Sequence, residues 1–186
     1  MKKLFALLLL CLTAQAFALE VASVKLADNA QVGNVNVQLN GAGIRTKFFI
    51  KIYVGALYLP QKQTSAEAII ADEHEHRMAL HILHGLSSEK LFNALNEAIE
   101  ANHTPAELSA LNAQLKQMAQ IFDAVKEVKT GDVITLDYLP ASGTQISVNS
   151  ALRGTITGAT FNRALLKIWL GEKPVQDDLK LKLLGR

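Results

Sequence analysis

Between Asn40 and Leu59 the chain passes two closely spaced glycines, Gly41 and Gly43, reaches Arg45, and enters a long series of β-branched and aromatic residues. Without a Cβ, glycine lets the backbone bend, or lets another group come close, at little steric cost. The spacing therefore predicts a small turn at Gly41–Gly43. From Phe48 onward the residue types suit a pleated strand, which Pro60 ends. On strand parity Phe48, Ile50, Ile52, Val54 and Ala56 share one face, and Arg45, Phe49, Lys51 and Tyr53 share the other, provided that no bulge intervenes. Arg45 then reads in two ways. It is a surface arginine whose stem covers apolar neighbours, or it is a partly desolvated cation at the mouth of an apolar strand, where an anionic partner is favoured.

The first residues bound where such a domain works. Met1-Lys2-Lys3 precedes the apolar run Leu4–Leu12, and Ala16-Phe17-Ala18 follows as a small-x-small cleavage pattern. This predicts a secretory leader at residues 1–18 and an exported chain from Leu19, most simply periplasmic. The run is too short to span a bilayer comfortably, and Leu8-Leu9-Leu10 before Cys11 lacks the small residues of a lipid-attachment signal. Cys11 is the single cysteine, so the mature chain needs no disulfide and offers no thiol chemistry. Without Lys2 and Lys3 the basic count falls from 19 to 17, against 17 acids. A balanced charge with no basic block argues against a nucleic-acid partner. No second apolar run reaches membrane-spanning length, and residues 19–186 suit one domain with a proper core.

Periodicity divides that domain into strands, helices, strands and helices. Val21–Leu26 and Val32–Leu39 alternate around Asp28-Asn29 and predict a hairpin. A short helix is expected near Thr64–Ile70 and a strand over Arg77–Leu83. Ser87-Ser88-Glu89 can cap a helix with Leu91, Ala94, Leu95, Ala98 and Ile99 on one face. Thr104-Pro105-Ala106-Glu107 starts another with a capping box, and its stripe of Leu108, Leu111, Leu115, Met118 and Phe122 reads as core. Val133–Leu139 and Gln145–Asn149 flank a turn and predict a second hairpin. Phe161–Trp169 and Val175–Leu184 predict the closing helices. The order is that of an α+β fold with a mainly antiparallel sheet and helices on one face.

Gly41-Ala42-Gly43-Ile44-Arg45, followed by Phe49–Tyr53 and Gly55-Ala56-Leu57-Tyr58-Leu59, resembles the signature of the chalcone isomerase family. Ser87-Ser88-Glu89-Lys90, the glycine-led segment Gly131–Ser147 and the helix Phe161–Gly171 are similar to later parts of the family's pattern, more diffusely. The resemblance implies an open-faced β-sandwich, a large antiparallel sheet layered with helices, with a ligand cleft between the long strand and those helices. In the isomerases a phenolate attacks an enone to close a flavanone, and hydroxyl donors stabilise the enolate. Arg45 matches the arginine that holds the substrate anion. The remaining positions depart from the pattern. Tyr53 stands at the catalytic threonine, Ser87 at the catalytic tyrosine, Ala94 (with Asn93 beside it) at the asparagine, and Ile168 at the serine or threonine of the late helix. Losing one oxyanion donor alone costs ~100-fold or more, so the catalytic set is empty as read here.

The resemblance also covers members that bind fatty acids without catalysis, an arginine and a tyrosine holding the carboxylate. This makes Arg45, Tyr53 and Ser87 the candidate ligand-binding residues and a small amphipathic anion, a fatty acid, the expected partner. A guanidinium can pair with both carboxylate oxygens and a phenol can add a third donor. Two alternatives stand beside this reading: an intramolecular lyase of the chalcone-to-flavanone type, and a structural or partner-binding domain with a filled cleft. His74, His76, His81 and His84 crowd one interval, but extended backbone would point His81 and His84 to opposite faces, so a solvated loop is expected rather than a metal site. No cofactor fingerprint is present.

Overall fold

The structure, a computed structural model, describes residues 19–186, and the expected leader at 1–18 lies outside the described residues. The chain forms β1 (Leu19–Val21), β2 (Val24–Leu26), β3 (Asn29–Val32), β4 (Val35–Lys47), β5 (Ile50–Leu59), α1 (Ala66–Ala71) and β6 (His76–Ile82). There follow β7 (Leu86–Ser87), α2 (Ser88–Ala101), α3 (Pro105–Ala110), α4 (Asn112–Val125), β8 (Glu127–Val128) and β9 (Val133–Leu139). The last elements are β10 (Gly143–Val148), β11 (Ala151–Ile156), α5 (Ala159–Leu170) and α6 (Asp177–Leu183). Seven strands make one antiparallel sheet in the order β11-β10-β9-β6-β5-β4-β3. The fold is the open-faced α+β sandwich expected.

Alternation along the strands explains why the sheet has two apolar faces. Tyr53, Leu57, Met78, Leu80, Ile82, Ile134 and Leu136 enter the core beneath the helices. Val54, Ala56, Tyr58 and Ala79, from the opposite parity of the same strands, pack with Leu26, Val32 and Val37 on the far side. The β1–β2 hairpin contributes Val21 and Val24 to that second cluster, so the far face is partly roofed by this hairpin. Helix α5 is the centre of the helical layer. Phe161, Leu165, Ile168 and Trp169 recur on one stripe and are buried.

Several expectations are corrected. Gly41 and Gly43 form no turn; both lie inside β4. They are small because α6 lies against them: a β-carbon on Gly41 would run into the Lys182 carbonyl, and one on Gly43 would come within 2.8 Å of Lys182 Cβ. The turn falls instead at Phe48–Phe49, between β4 and β5, where φ is 48° and 67°. Nothing in two phenylalanines announces such a turn, which ordinarily takes Asn and Gly.

The face assignment also slips. Register shifts between Arg45 and Thr46 leave Ile52 as an extra residue, and Ile52 packs beneath the helices beside Tyr53. The single N-terminal hairpin is two, β1–β2 and β3–β4. Strand β11, absent from the expected set, follows β10 through a second doubly positive turn at Asn149–Ser150. The helix begun at Thr104 breaks at Leu111, whose N–H is shared among the carbonyls of Glu107, Leu108 and Ser109 and whose side chain is buried. The solvated histidine loop is wrong for His76, which is buried in β6.

Candidate functional site

Arg45 and Tyr53 are brought together, but by the hairpin rather than along one strand: they are direct partners across the β4–β5 ladder. Residues opposite one another in an antiparallel pair project to the same face, here the face beneath the helices. Arg45 is half-buried there. Its Nη1 donates to the Thr46 carbonyl at 2.8 Å and to Gln176 Oε1 at 3.3 Å. Both acceptors are neutral, and among the described residues Arg45 makes no ion pair.

Gln176, the residue before α6, is the element that sequence reasoning misses. Its Oε1 also accepts from the Thr46 backbone N–H at 2.9 Å, and its Nε2 donates to the Ile44 carbonyl at 3.1 Å. The register shift at Arg45/Thr46 interrupts the ladder, and this amide serves the backbone there. No local signal marks a residue more than a hundred positions away as a partner for Arg45. The close approach of α6 that Gly41 and Gly43 permit is what delivers it.

Tyr53 is 4% exposed. The Trp169 indole N–H donates to its hydroxyl oxygen at 2.9 Å, which leaves the phenolic proton available for donation. Burial pushes the phenol up to about 12, against smaller opposing pulls from the Trp169 bond and the Arg45 charge. The group is therefore a neutral donor at any ordinary pH. Ser87 sits at the start of α2, where its hydroxyl accepts from the Lys90 N–H. Asn93 is exposed, Ala94 is half-buried and Ile168 is fully buried, so this arrangement gives the late-helix position no polar atom.

His76 is tied down as a structural ring. Burial holds it below the usual histidine range, so it is neutral near pH 7 and carries one N–H. Its Nδ1 lies 2.9 Å from the His74 carbonyl oxygen and its Nε2 3.1 Å from Asn162 Oδ1, two acceptors of which the single ring N–H can serve one. Among the described residues no three His, Cys, Asp or Glu side chains are grouped to hold a metal ion. Two surface clefts, of about 490 and 440 Å³, include neither Arg45 nor Tyr53. One is lined by Leu59, Pro60 and Ile69 among others, the other by Asn102, Lys167 and Lys180.

The comparisons agree with this architecture. The profile of the family described as chalcone isomerase-like matches residues 18–185: the protein belongs to that family. Among solved structures, a fatty-acid-binding protein of Arabidopsis thaliana superposes with a TM-score of 0.68, covering 90% of this chain and 95% of the plant chain at 16% identity. At that identity the likeness is one of fold. A search among curated proteins returns no match.

Proposed function

We propose that the exported domain binds an amphipathic anion, a fatty acid, without turning it over, and that Arg45 holds the head group. The observation that carries this reading is a half-buried guanidinium served only by neutral acceptors. Gln176 Oε1 stands where a carboxylate oxygen would stand, accepting from both the Thr46 N–H and Arg45 Nη1. A carboxylate displacing it keeps both bonds and adds charge, which makes them stronger. Tyr53 has a neutral proton to donate from the same face, and Ser87, which caps α2, would add a polar contact on the family's pattern. The tail would run between sheet and helices, so entry requires the first turn of α6 to swing off β4. The plant protein's fatty-acid binding, on the same fold, supports the ligand class. The apolar Ile168 and the other departures from the catalytic pattern support the absence of turnover.

Solvent extraction of the protein purified after export, followed by mass spectrometry, tests the reading. A fatty acid at near-stoichiometric amount is expected. An empty extract together with no uptake of added fatty acids contradicts it and leaves a filled structural domain. Affinity should rise by up to ~0.8 kcal/mol per buried methylene until the space is full. Chalcone should cyclise no faster than without protein. A rate enhancement lost in Arg45→Ala would restore the isomerase reading.

A further inference from the structure

The β4–β5 hairpin ends in an apolar tip that the fold does not use. Phe48 is 84% exposed, Phe49 is fully exposed, and Ile50 beside them is 46% exposed. Both phenylalanines sit at positive φ, a backbone region that bulky side chains disfavour and that Asn and Gly enter readily. Two other two-residue turns in the sheet hairpins have the same doubly positive backbone, Ala22–Ser23 and Asn149–Ser150, and both use small or polar residues. Aromatic rings at Phe48–Phe49 thus serve neither the turn nor the core.

Charge accompanies the rings. Lys47 and Lys51 flank the tip and are exposed, and Lys47 Nζ lies 5.9 Å from the centre of the Phe48 ring. From Gly41 to Ala66 the chain has no Asp or Glu. Asp177 and Asp178, in the first turn of α6, follow Gln176, and among the described residues neither forms an ion pair with Lys47 or Lys51. Two aromatic rings at an apex with lysines just behind them match an anionic lipid surface: rings enter the boundary of the acyl region and ammonium groups stay among the phosphates. A two-residue apex is far too small to make a stable protein interface of roughly 800 Å² a side.

We propose that the Phe48–Phe49 tip inserts into the surface of an anionic lipid bilayer, with Lys47 and Lys51 pairing with its head groups. The proposal is independent of Arg45 and stands whether or not a fatty acid is bound.

The test is co-sedimentation of the exported protein with vesicles of phosphatidylglycerol and phosphatidylcholine in equal parts, and of phosphatidylcholine alone. Mass spectrometry first establishes that no leader remains. The wild type should bind the anionic vesicles, more weakly as salt rises, and bind the neutral ones poorly. Phe48→Asn/Phe49→Gly gives the turn the residues its backbone prefers, so it should melt no lower than wild type yet bind at least about tenfold more weakly. Lys47→Gln and Lys51→Gln should each cost about fivefold on anionic vesicles only. Absence of wild-type binding to either vesicle overturns the proposal, as does unchanged binding by the Asn-Gly variant. Self-association of the wild type without lipid, lost in the same variant, overturns it too and makes the tip a contact between copies.

Discussion

Arg45 and Arg77 each face a partner across an antiparallel ladder of the same sheet, and the partners differ in kind. Arg77, on the far face, grips Asp137 with two bonds of 2.6 Å and adds one to the Gln31 carbonyl. Its own pKa is raised further by that carboxylate, so it is charged at every relevant pH. Arg45, beneath the helices, meets the neutral phenol of Tyr53 and the amide of Gln176. The first arginine is complete within the fold, while the second is supplied with hydrogen-bond acceptors and no anion. On the function proposed above, the difference separates a structural arginine from one with capacity left for a ligand.

The largest expected effect lies on the structural side. Arg77→Ala leaves Asp137, 15% exposed in its side chain, without its partner. It should lower unfolding stability by about 2–4 kcal/mol with ligand affinity unchanged. Arg45→Ala should stay within about 1 kcal/mol of wild type in the same urea titration, because only bonds to neutral acceptors are lost. Equal losses of stability in the two variants would erase the contrast.

Tyr53→Phe comes next and acts twice. It removes the acceptor of the buried Trp169 N–H, costing about 1–3 kcal/mol of stability, and removes a neutral donor from the ligand, costing about 1 kcal/mol of affinity. A change in affinity larger than that of Arg45→Ala would move the head group from the arginine to the phenol. Gln176→Ala sharpens the comparison further. If its amide stands in for a carboxylate, the variant should bind fatty acid tighter by about 1 kcal/mol, roughly fivefold. Weaker binding would make Gln176 a ligand contact instead.

The smallest effect concerns pH. Burial lowers the pKa of His76 and, less deeply placed, of His81 in the folded state. Below about pH 6.5 the unfolded chain therefore binds more protons than the folded one, and stability falls as the pH falls. Urea midpoints at neutral and mildly acidic pH should differ, and His76→Gln should narrow the gap. An unchanged gap would place the acid sensitivity elsewhere.

What was legible in the sequence follows what local chemistry can carry. Ser87 and Thr104 cap helices as their residue types suggest, whereas alternation puts Tyr53 on the face of Arg45 and Lys51 and does not mark it as buried. Arg45 and Tyr53 share a face as read, though through a turn at Phe48–Phe49 that no residue preference marks. The role of Gly41 and Gly43 was half visible. Glycine permits close approach, but only the position of α6 says what approaches. Gln176 and the shift that frees Ile52 were invisible because both depend on contacts far apart in the chain. His76 was misread because its solvation depends on Asn162 in α5, not on its neighbours.

Whether Arg45 holds an anionic head group is decided by titrating one fatty acid and its methyl ester against wild type and Arg45→Ala. The wild type should prefer the acid by roughly 2–5 kcal/mol, tens- to thousands-fold, and Arg45→Ala, still folded, should bind acid and ester alike. Equal binding of acid and ester by the wild type, or an unchanged preference in Arg45→Ala, would contradict it.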